Sequence, residues 1–493
     1  MSEASPSVRA PSTTAPPAVR LPRRVVLISV AAAIGGFLFG FDTAIINGAV
    51  DAITTRFALS TAMLGVVVAV TLSGAAGGAA AAGWIADRLG RRRAMLIAAV
   101  IFCISSVGCA LSSSAVELVG WRLVTGVAVG MASVIAPLYI SEIAPASTRG
   151  VLSSLQQMAI VLGIFTALLW SAMIADLLHG ADAAVLLGLP AWRWMFLSGI
   201  IPALLYGLLA LVIPESPRHL VAIGRLDDAA QTIRRLFAGT PAAAAEQVSR
   251  IAATLTADAK PRFRDVLSRR TGLLPLVWVG VAIAACQNLV GIDVIFFYST
   301  SLWNSVGFGE SAAFSLSVAS SVVNVIATVV AILLIDRVGR RRLLMVGSAG
   351  MAVSLSVAAL GFAHAVVDED AQLVLPSPWG VITLIAANMF VVFFAASWGP
   401  AVWVLLGEMF PNRIRAAALS VSAAANWGAD IIVNLTFPTL RAYSLPLSYG
   451  LYAFFAVVSG VIVWLGVRET AGRELEDMTT DLALTPLGTE SNR

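Results

Sequence analysis

The chain has 493 residues, 58% of them hydrophobic and 12% charged, about half of the ~25% charged share usual for soluble domains. This excludes a disordered protein and an ordinary water-soluble enzyme, and the apolar stock suffices for about a dozen membrane spans of ~20 residues each. The net charge of +4 comes from separate loops rather than one basic face, which excludes a nucleic-acid-binding surface.

Residues 1–24, rich in Pro, Ser, Ala and Thr, end in Leu21-Pro22-Arg23-Arg24. They predict a disordered tail followed by a basic stop at a membrane surface. The apolar run behind it is too long for the core of a cleavable signal. Stretches between charges then give six spans within residues 25–214. They run from Arg24 to Asp51, Arg56 to Asp87, Arg93 to Glu117, Glu117 to Glu142, Arg149 to Asp176 and Arg193 to Glu215, with only Asp42 and Arg122 inside them.

Residues 215–271 hold sixteen charges in 57 positions and predict a cytoplasmic linker with helical pieces such as Arg225 to Phe237. Six more spans fill 272–468, and 469–493 form a second tail. Of the 32 Lys and Arg residues, only Arg56, Arg122, Arg193 and Arg441 lie outside the tails, the linker and the loops on the same side as both. Basic residues collect in cytoplasmic loops, so both termini are expected in the cytoplasm. Cys103, Cys109 and Cys286 sit inside apolar runs, without metal-site spacing or a disulfide framework. No metal, cofactor or nucleic-acid partner is expected.

The two halves echo each other. Asp87-Arg-Leu-Gly-Arg-Arg92 recurs as Asp336-Arg-Val-Gly-Arg-Arg341, Glu142-x-x-Pro145-x-x-x-Arg149 as Glu408-x-x-Pro411-x-x-x-Arg415, and Glu215 is matched by Glu469. Duplicated six-helix halves suit a transporter that rocks around a substrate held near the bilayer midplane. The repeated charges, Asp87, Arg88, Arg91, Glu142 and Arg149 in one half and Asp336, Arg337, Arg340, Glu408 and Arg415 in the other, read as a cytoplasmic gate of ion pairs and helix-end contacts.

Further motifs complete the pattern: Gly40-Phe-Asp-Thr43, Pro214-Glu-Ser-Pro-Arg218, Gln287-Asn-Leu-Val-Gly-Ile-Asp293, Trp398-Gly-Pro-Ala-Val-Trp403, Asn426-Trp427 and Glu469-Thr-Ala-Gly472. Over about residues 25–475 the chain resembles the sugar porter family of the major facilitator superfamily, and within it the bacterial proton symporters for glucose and xylose. The resemblance implies an all-α membrane protein of twelve spans in two pseudo-symmetric halves, in the plasma membrane and monomeric.

Asp42 is a carboxylate in mid-span, costly unless paired, solvated or protonated, and so a proton-site candidate by default. Arg122 on the fourth span is its natural partner. Resemblance implies that this pair couples transport to protons; a permanently paired structural bridge is the alternative. A hexose presents hydroxyls that both donate and accept, matched by neutral amides and an aromatic face. Gln157, Gln287, Asn288, Asn324 and Asn426 meet that description, with Trp403 as the platform. Resemblance places all of them, with Phe39 and Gly399, at sugar-contacting positions. His179, His219 and His364, in loops or at span ends, read as surface or capping residues.

The chain departs from the family pattern at Asn288, at Phe297, and most of all at Asp293 and Asp430, two acids where amides are common. Asp293 is expected at the sugar, with Asp430 a further cavity acid; together they can sharpen polyol recognition, admit a cationic sugar or add a proton site. The expected function is inward symport of a monosaccharide, glucose or a related hexose, with one or more protons. Alternatives are a proton-independent facilitator, a pentose or inositol symporter, and a transporter-like sugar sensor. A drug antiporter is disfavoured by the amide set, and an enzyme by the lack of a nucleophile and base constellation.

Overall fold

The computed structural model describes residues 23–145, 149–177, 184–186, 188–237, 240–257, 266–268, 272–367, 373–411 and 414–469. The expected tail at 1–22, His179, most of the second tail and the side chains of Arg149 and Asp336 lie outside the described residues.

Long apolar stretches leave the backbone no hydrogen-bond partner in lipid except itself, so they become helices. The first half contains α1 (Arg23–Ile45), a 3-10 turn (Asn47–Ala49), α2 (Val50–Phe57), α3 (Thr61–Leu89), α4 (Arg91–Leu111), α5 (Ala115–Ile143), α6 (Arg149–Leu177), α7 (Ala191–Ser198) and α8 (Ile200–Val212). Local capping sets two of the starts: Ser60 accepts from Met63 N at 3.2 Å and Ser114 from Glu117 N at 3.2 Å.

Three helices follow between the halves, α9 (Pro217–Ala222), α10 (Leu226–Phe237) and α11 (Pro241–Ala257). They share a small core of Leu220, Val221, Ala229, Ile233, Ala244 and Val248. The start of α1 touches this segment through Arg24, which donates to the carbonyl of Arg235 at 3.2 Å; that end of the bundle is called here the linker face.

The second half repeats the plan with α12 (Pro275–Leu289), α13 (Ile292–Asn304), α14 (Glu310–Val338), α15 (Arg340–Ala363), α16 (Trp379–Phe393), a π-turn (Phe394–Trp398), α17 (Gly399–Met409), α18 (Arg415–Tyr443) and α19 (Leu445–Gly466). Short two-stranded hairpins occupy three of the loops. Among the described residues, eleven stretches are long and apolar enough to cross a membrane. The twelfth span is α18, 29 residues long, whose Asn426, Asp430 and Asn434 dilute its hydropathy.

Two spans are broken where function is expected. The seventh splits at Gly291, with φ of +82°, into α12 and α13. The tenth passes through the π-turn just ahead of Gly399-Pro400, and such bulges free backbone carbonyls for side-chain partners. Large apolar side chains on the outer surface, Leu177, Val212 and Leu465 among them, are more than 70% exposed, as expected of helices that face lipid. Inside, small residues let helices touch: a Cβ on Gly126 or Gly130 of α5 would run into the carbonyls of Thr71 or Ala75 on α3.

Candidate functional site

In the first half, Arg122 of α5 donates from Nη1 to Oδ1 of Asp42 on α1 at 3.0 Å, with the two side chains 0% and 6% exposed. Close packing of α1 on α5 lets them meet: a Cβ on Gly35 of α1 would lie 3.1 Å from the carbonyl of Ala132 on α5. Nε and Nη2 of Arg122 have no hydrogen-bond partner, and the ring of Phe196 lies 5.9 Å from its guanidinium carbon. A void of about 10 Å³ borders Asp42, lined also by Ser106, Cys109, Thr125 and Phe196. The bond joins opposite charges when Asp42 is ionised and weakens to one between the guanidinium and a neutral carboxyl when it is protonated.

In the second half three of the predicted amides, Gln287, Asn288 and Asn426, form one network. Gln287 donates from Nε2 to the carbonyls of Trp398 at 3.1 Å and Gly399 at 3.4 Å, and its Oε1 accepts from Asn426 at 3.1 Å. Asn426 also donates to the carbonyl of Ala284 at 2.9 Å, and Asn288 donates to the carbonyl of Asn426 at 3.0 Å. The structure thus brings Gln287, Asn288, Gly399 and Asn426 together, using carbonyls around the π-turn. Asn324, on α14, is buried.

Across the seam between halves, Gln157 Nε2 lies 3.9 Å from the point where a Cβ on Gly399 would stand. Phe39 meets Trp427 edge to face with ring centroids 5.9 Å apart. The predicted platform, Trp403, is 40% exposed, whereas Trp398 is fully buried and donates to Leu344 O and Ser348 Oγ. Asp430 of α18 is buried and accepts from Asn434 Nδ2 at 2.7 Å, and Asp293 stands in the first turn of α13.

At the end of the bundle opposite the linker face, contacts that sequence reasoning missed tie the halves together. Asn47 donates to the carbonyl of Phe296 at 3.1 Å and to Ser299 Oγ at 2.7 Å, and accepts from Thr300 N at 3.0 Å. Asn304 donates to Asp51 at 2.9 Å. The only signal in the sequence was a lone amide near the end of the first predicted span, which does not name its partners.

The repeated charges lie at the linker face, and the ion pairs seen there stay inside each half. Arg91 bridges Glu142 at 2.9 Å and Asp87 at 3.1 Å, and Arg340 bridges Glu408 at 3.0 Å. Glu215 accepts from the backbone N–H of Arg91 at 2.9 Å and Arg92 at 3.2 Å, capping α4; Glu469 does the same for Arg340 at 2.8 Å and Arg341 at 3.2 Å, capping α15. The glycines of both motifs, Gly90 and Gly339, have φ of +91° and would press a Cβ into these carboxylates. Arg88 lies 4.3 Å over Trp84, Arg337 is exposed, and Arg415 donates to the carbonyl of Phe410 at 3.1 Å. His219, expected at the surface or in a capping role, is not at the surface: it is 4% exposed, in the helix that Ser216 caps, with Nδ1 3.2 Å from Arg91 Nη1. His364 is exposed and stacks on Trp379.

A family model described as "Sugar (and other) transporter" matches residues 28–482. The chain belongs to this sugar transporter family. Among curated relatives, the glucose transport protein of Synechocystis sp. is 49% identical over 92% of this chain and 97% of its own length. The D-xylose-proton symporter of Escherichia coli is 34% identical over 92% and 94%. Of solved structures, the inward open conformation of the xylose transporter XylE from E. coli matches with a TM-score of 0.78 at 32% identity, covering 92% of this chain and 99% of that one. The XylE structure bound to 6-bromo-6-deoxy-D-glucose matches at 0.74 and 33%, covering 93% and 99%. The family and the structural match establish a membrane-spanning twelve-helix fold in two halves, and its members are transporters rather than enzymes.

Proposed function

We propose that the protein carries a monosaccharide, glucose or a related hexose, across the plasma membrane into the cell together with protons, by alternating access. The observation that carries this reading is the buried Asp42–Arg122 pair, placed in the half that faces the amide network. The names of the relatives support glucose and xylose as chemistries such a site accepts.

Residues 25–214 rock against 272–468, with 215–271 between them and the linker face cytoplasmic, as the basic loops predict. Protonation of Asp42 loosens its hold on Arg122 and so on α5, while the sugar draws the amides of the two halves together. Only the doubly loaded or the empty carrier crosses, which makes the proton gradient do work on the sugar. Gln157, Gln287, Asn288, Asp293, Asn324 and Asn426 serve the sugar hydroxyls, with Phe39, Gly399 and Trp403 shaping the cavity and Asp430 behind it. The repeated arginines and acids at the linker face act as the cytoplasmic gate. The carrier works as a monomer in the bilayer.

Counterflow of a labelled sugar panel in proteoliposomes, with and without a proton gradient, tests the reading. Hexose counterflow with gradient-driven accumulation is expected. Preference for a pentose or inositol, or exchange indifferent to the gradient, would replace it with a related symporter or a facilitator.

A further inference from the structure

The linker touches the bundle through a buried histidine. His219 of α9 is 4% exposed, and its Nδ1 lies 3.2 Å from Nη1 of Arg91 at the start of α4. A guanidinium has donors and no acceptor, so Nδ1 must accept and the ring must be neutral, with its one hydrogen on Nε2. Arg91 is the hub of this corner. The same guanidinium donates to the carbonyl of Ala86 at 3.0 Å and bridges Asp87 of α3 at 3.1 Å and Glu142 of α5 at 2.9 Å. Three helices and the linker thus meet on one side chain, which is 7% exposed.

A proton arriving at Nδ1 would set an N–H against an N–H and a positive charge against a positive charge. The carboxylates nearby are already engaged. Glu215, just ahead of α9, caps α4 through the amides of Arg91 and Arg92, while Asp87 and Glu142 hold Arg91 itself. Glu142 Oε2 is buried and without a hydrogen-bond partner among the described residues, but it belongs to a carboxylate that Arg91 already holds. An imidazolium therefore gains a counter-charge only by competing with Arg91 or with the α4 cap. Burial, with Arg91 adding to it against Glu215, Glu142 and Asp87, holds the ring below its usual value. The other charged and titratable groups on the packed elements are turned away. Arg92 donates to the carbonyls of Ala210 and Leu211, and Tyr139 of α5 to that of Pro214. Asp228 of α10 pairs with Arg225, and Glu246 of α11 with Arg250. Arg88, Arg93, Arg218, Asp227, Arg234 and Arg235 are exposed.

We infer that His219 is an acid switch on the linker face: a proton gained at Nδ1 breaks the Arg91 hub, frees α9 from the turn between α3 and α4, and slows the rocking of the first half. The neutral ring keeps Arg91 centred on its partners, so that α3, α4, α5 and the linker move as one body. The imidazolium displaces it. Protons that enter with sugar are released on this side, and the switch lowers turnover as they collect there. Sugar affinity stays as it was, because no group of the hub belongs to the amide network. The effect on transport rests on the sugar-transport reading, whereas the switch itself rests on the contact between His219 and Arg91.

Nitrogen NMR of the full chain in lipid nanodiscs, with isotope in histidine alone, reads the ring directly. The chain has three histidines, so the His219 signals are identified by their loss in His219→Asn, or by elimination in His179→Gln and His364→Gln. Near neutral pH, Nδ1 should be bare and hydrogen-bonded with Nε2 protonated, and the ring should pass to imidazolium only below pH ~6.5. A protonated Nδ1 at neutral pH, or a midpoint at or above ~6.5, overturns the switch. Counterflow with equal pH on both sides gives the second readout. His219→Asn sets an amide oxygen where Nδ1 stands and cannot titrate, and comparing it with wild type at each pH cancels the titration of Asp42. The ratio of variant to wild-type maximal rate should be near one at neutral pH and grow toward about tenfold per pH unit below the midpoint, with the half-saturating sugar concentration unchanged. A ratio that stays flat, or one that changes through sugar affinity, overturns the effect on rocking. Wild-type protein without counterflow of any sugar would sink the transport reading and leave the NMR titration to judge the switch.

Discussion

One amide of Asn47 engages both ends of a single helical rung in the opposite half: it accepts from Thr300 N at 3.0 Å and donates to the carbonyl of Phe296 at 3.1 Å. With the Ser299 bond beside it, this clasps the 3-10 turn after α1 to α13 and closes the face away from the linker. Alternating access requires that the clasp break in every cycle. Asn47→Ala should therefore favour the state open at that face, by about tenfold if ~1.4 kcal/mol of hydrogen bonding is lost. Hydrogen exchange at the Thr300 amide should quicken by a similar factor. Unchanged exchange there would mean that the clasp holds nothing.

The amide network makes a second prediction. Gln287 and Asn426 are each other's partners as well as sugar candidates, and Gln157 faces them from the other half. Gln157→Ala, Gln287→Ala and Asn426→Ala should each weaken sugar binding by ~1 to 3 kcal/mol, the cost of stranding a buried partner. Calorimetric affinities within twofold of wild type for all three would place the cavity elsewhere.

These amides were legible in the sequence because a polar side chain in an apolar span is expensive enough to demand a reason, and Asp42 with Arg122 was legible on the same ground. The twelve spans followed from the spacing of charges. What stayed hidden depends on contacts between distant segments. Asn47 was one polar residue near the end of the first predicted span, and nothing in the sequence places it against Phe296 and Thr300, 249 and 253 positions further on. The echo of Glu215 in Glu469 was visible, but its cause, one carboxylate capping the next helix over a positive-φ glycine, required the fold.

That capping arrangement is itself testable. Gly90→Ala must adopt φ near +91° and meets the Glu215 carboxylate, so it should cost ~1 to 3 kcal/mol. Gly339→Ala should behave alike against Glu469. The unfolding midpoint of the solubilised protein would fall for both; a midpoint that holds in either would show that its motif tolerates an ordinary residue.

His219 gives a pH prediction outside the spans. Burial, with Arg91 adding to it against the pull of Glu215 and Glu142, holds its imidazole below the usual value. The unfolded chain therefore binds this proton first, and stability should fall as pH drops below ~6.5 toward the lower folded value. His219→Gln should flatten that slope in thermal unfolding followed over pH. Identical slopes would show that other groups set it.

Proton-driven sugar accumulation by Asp42→Asn, measured beside counterflow in the same proteoliposomes, bears most directly on the central claim. An amide keeps the hydrogen bonding of the protonated acid and cannot release a proton. The account predicts that counterflow persists while accumulation against a gradient disappears. Accumulation by the variant at the wild-type level would contradict it.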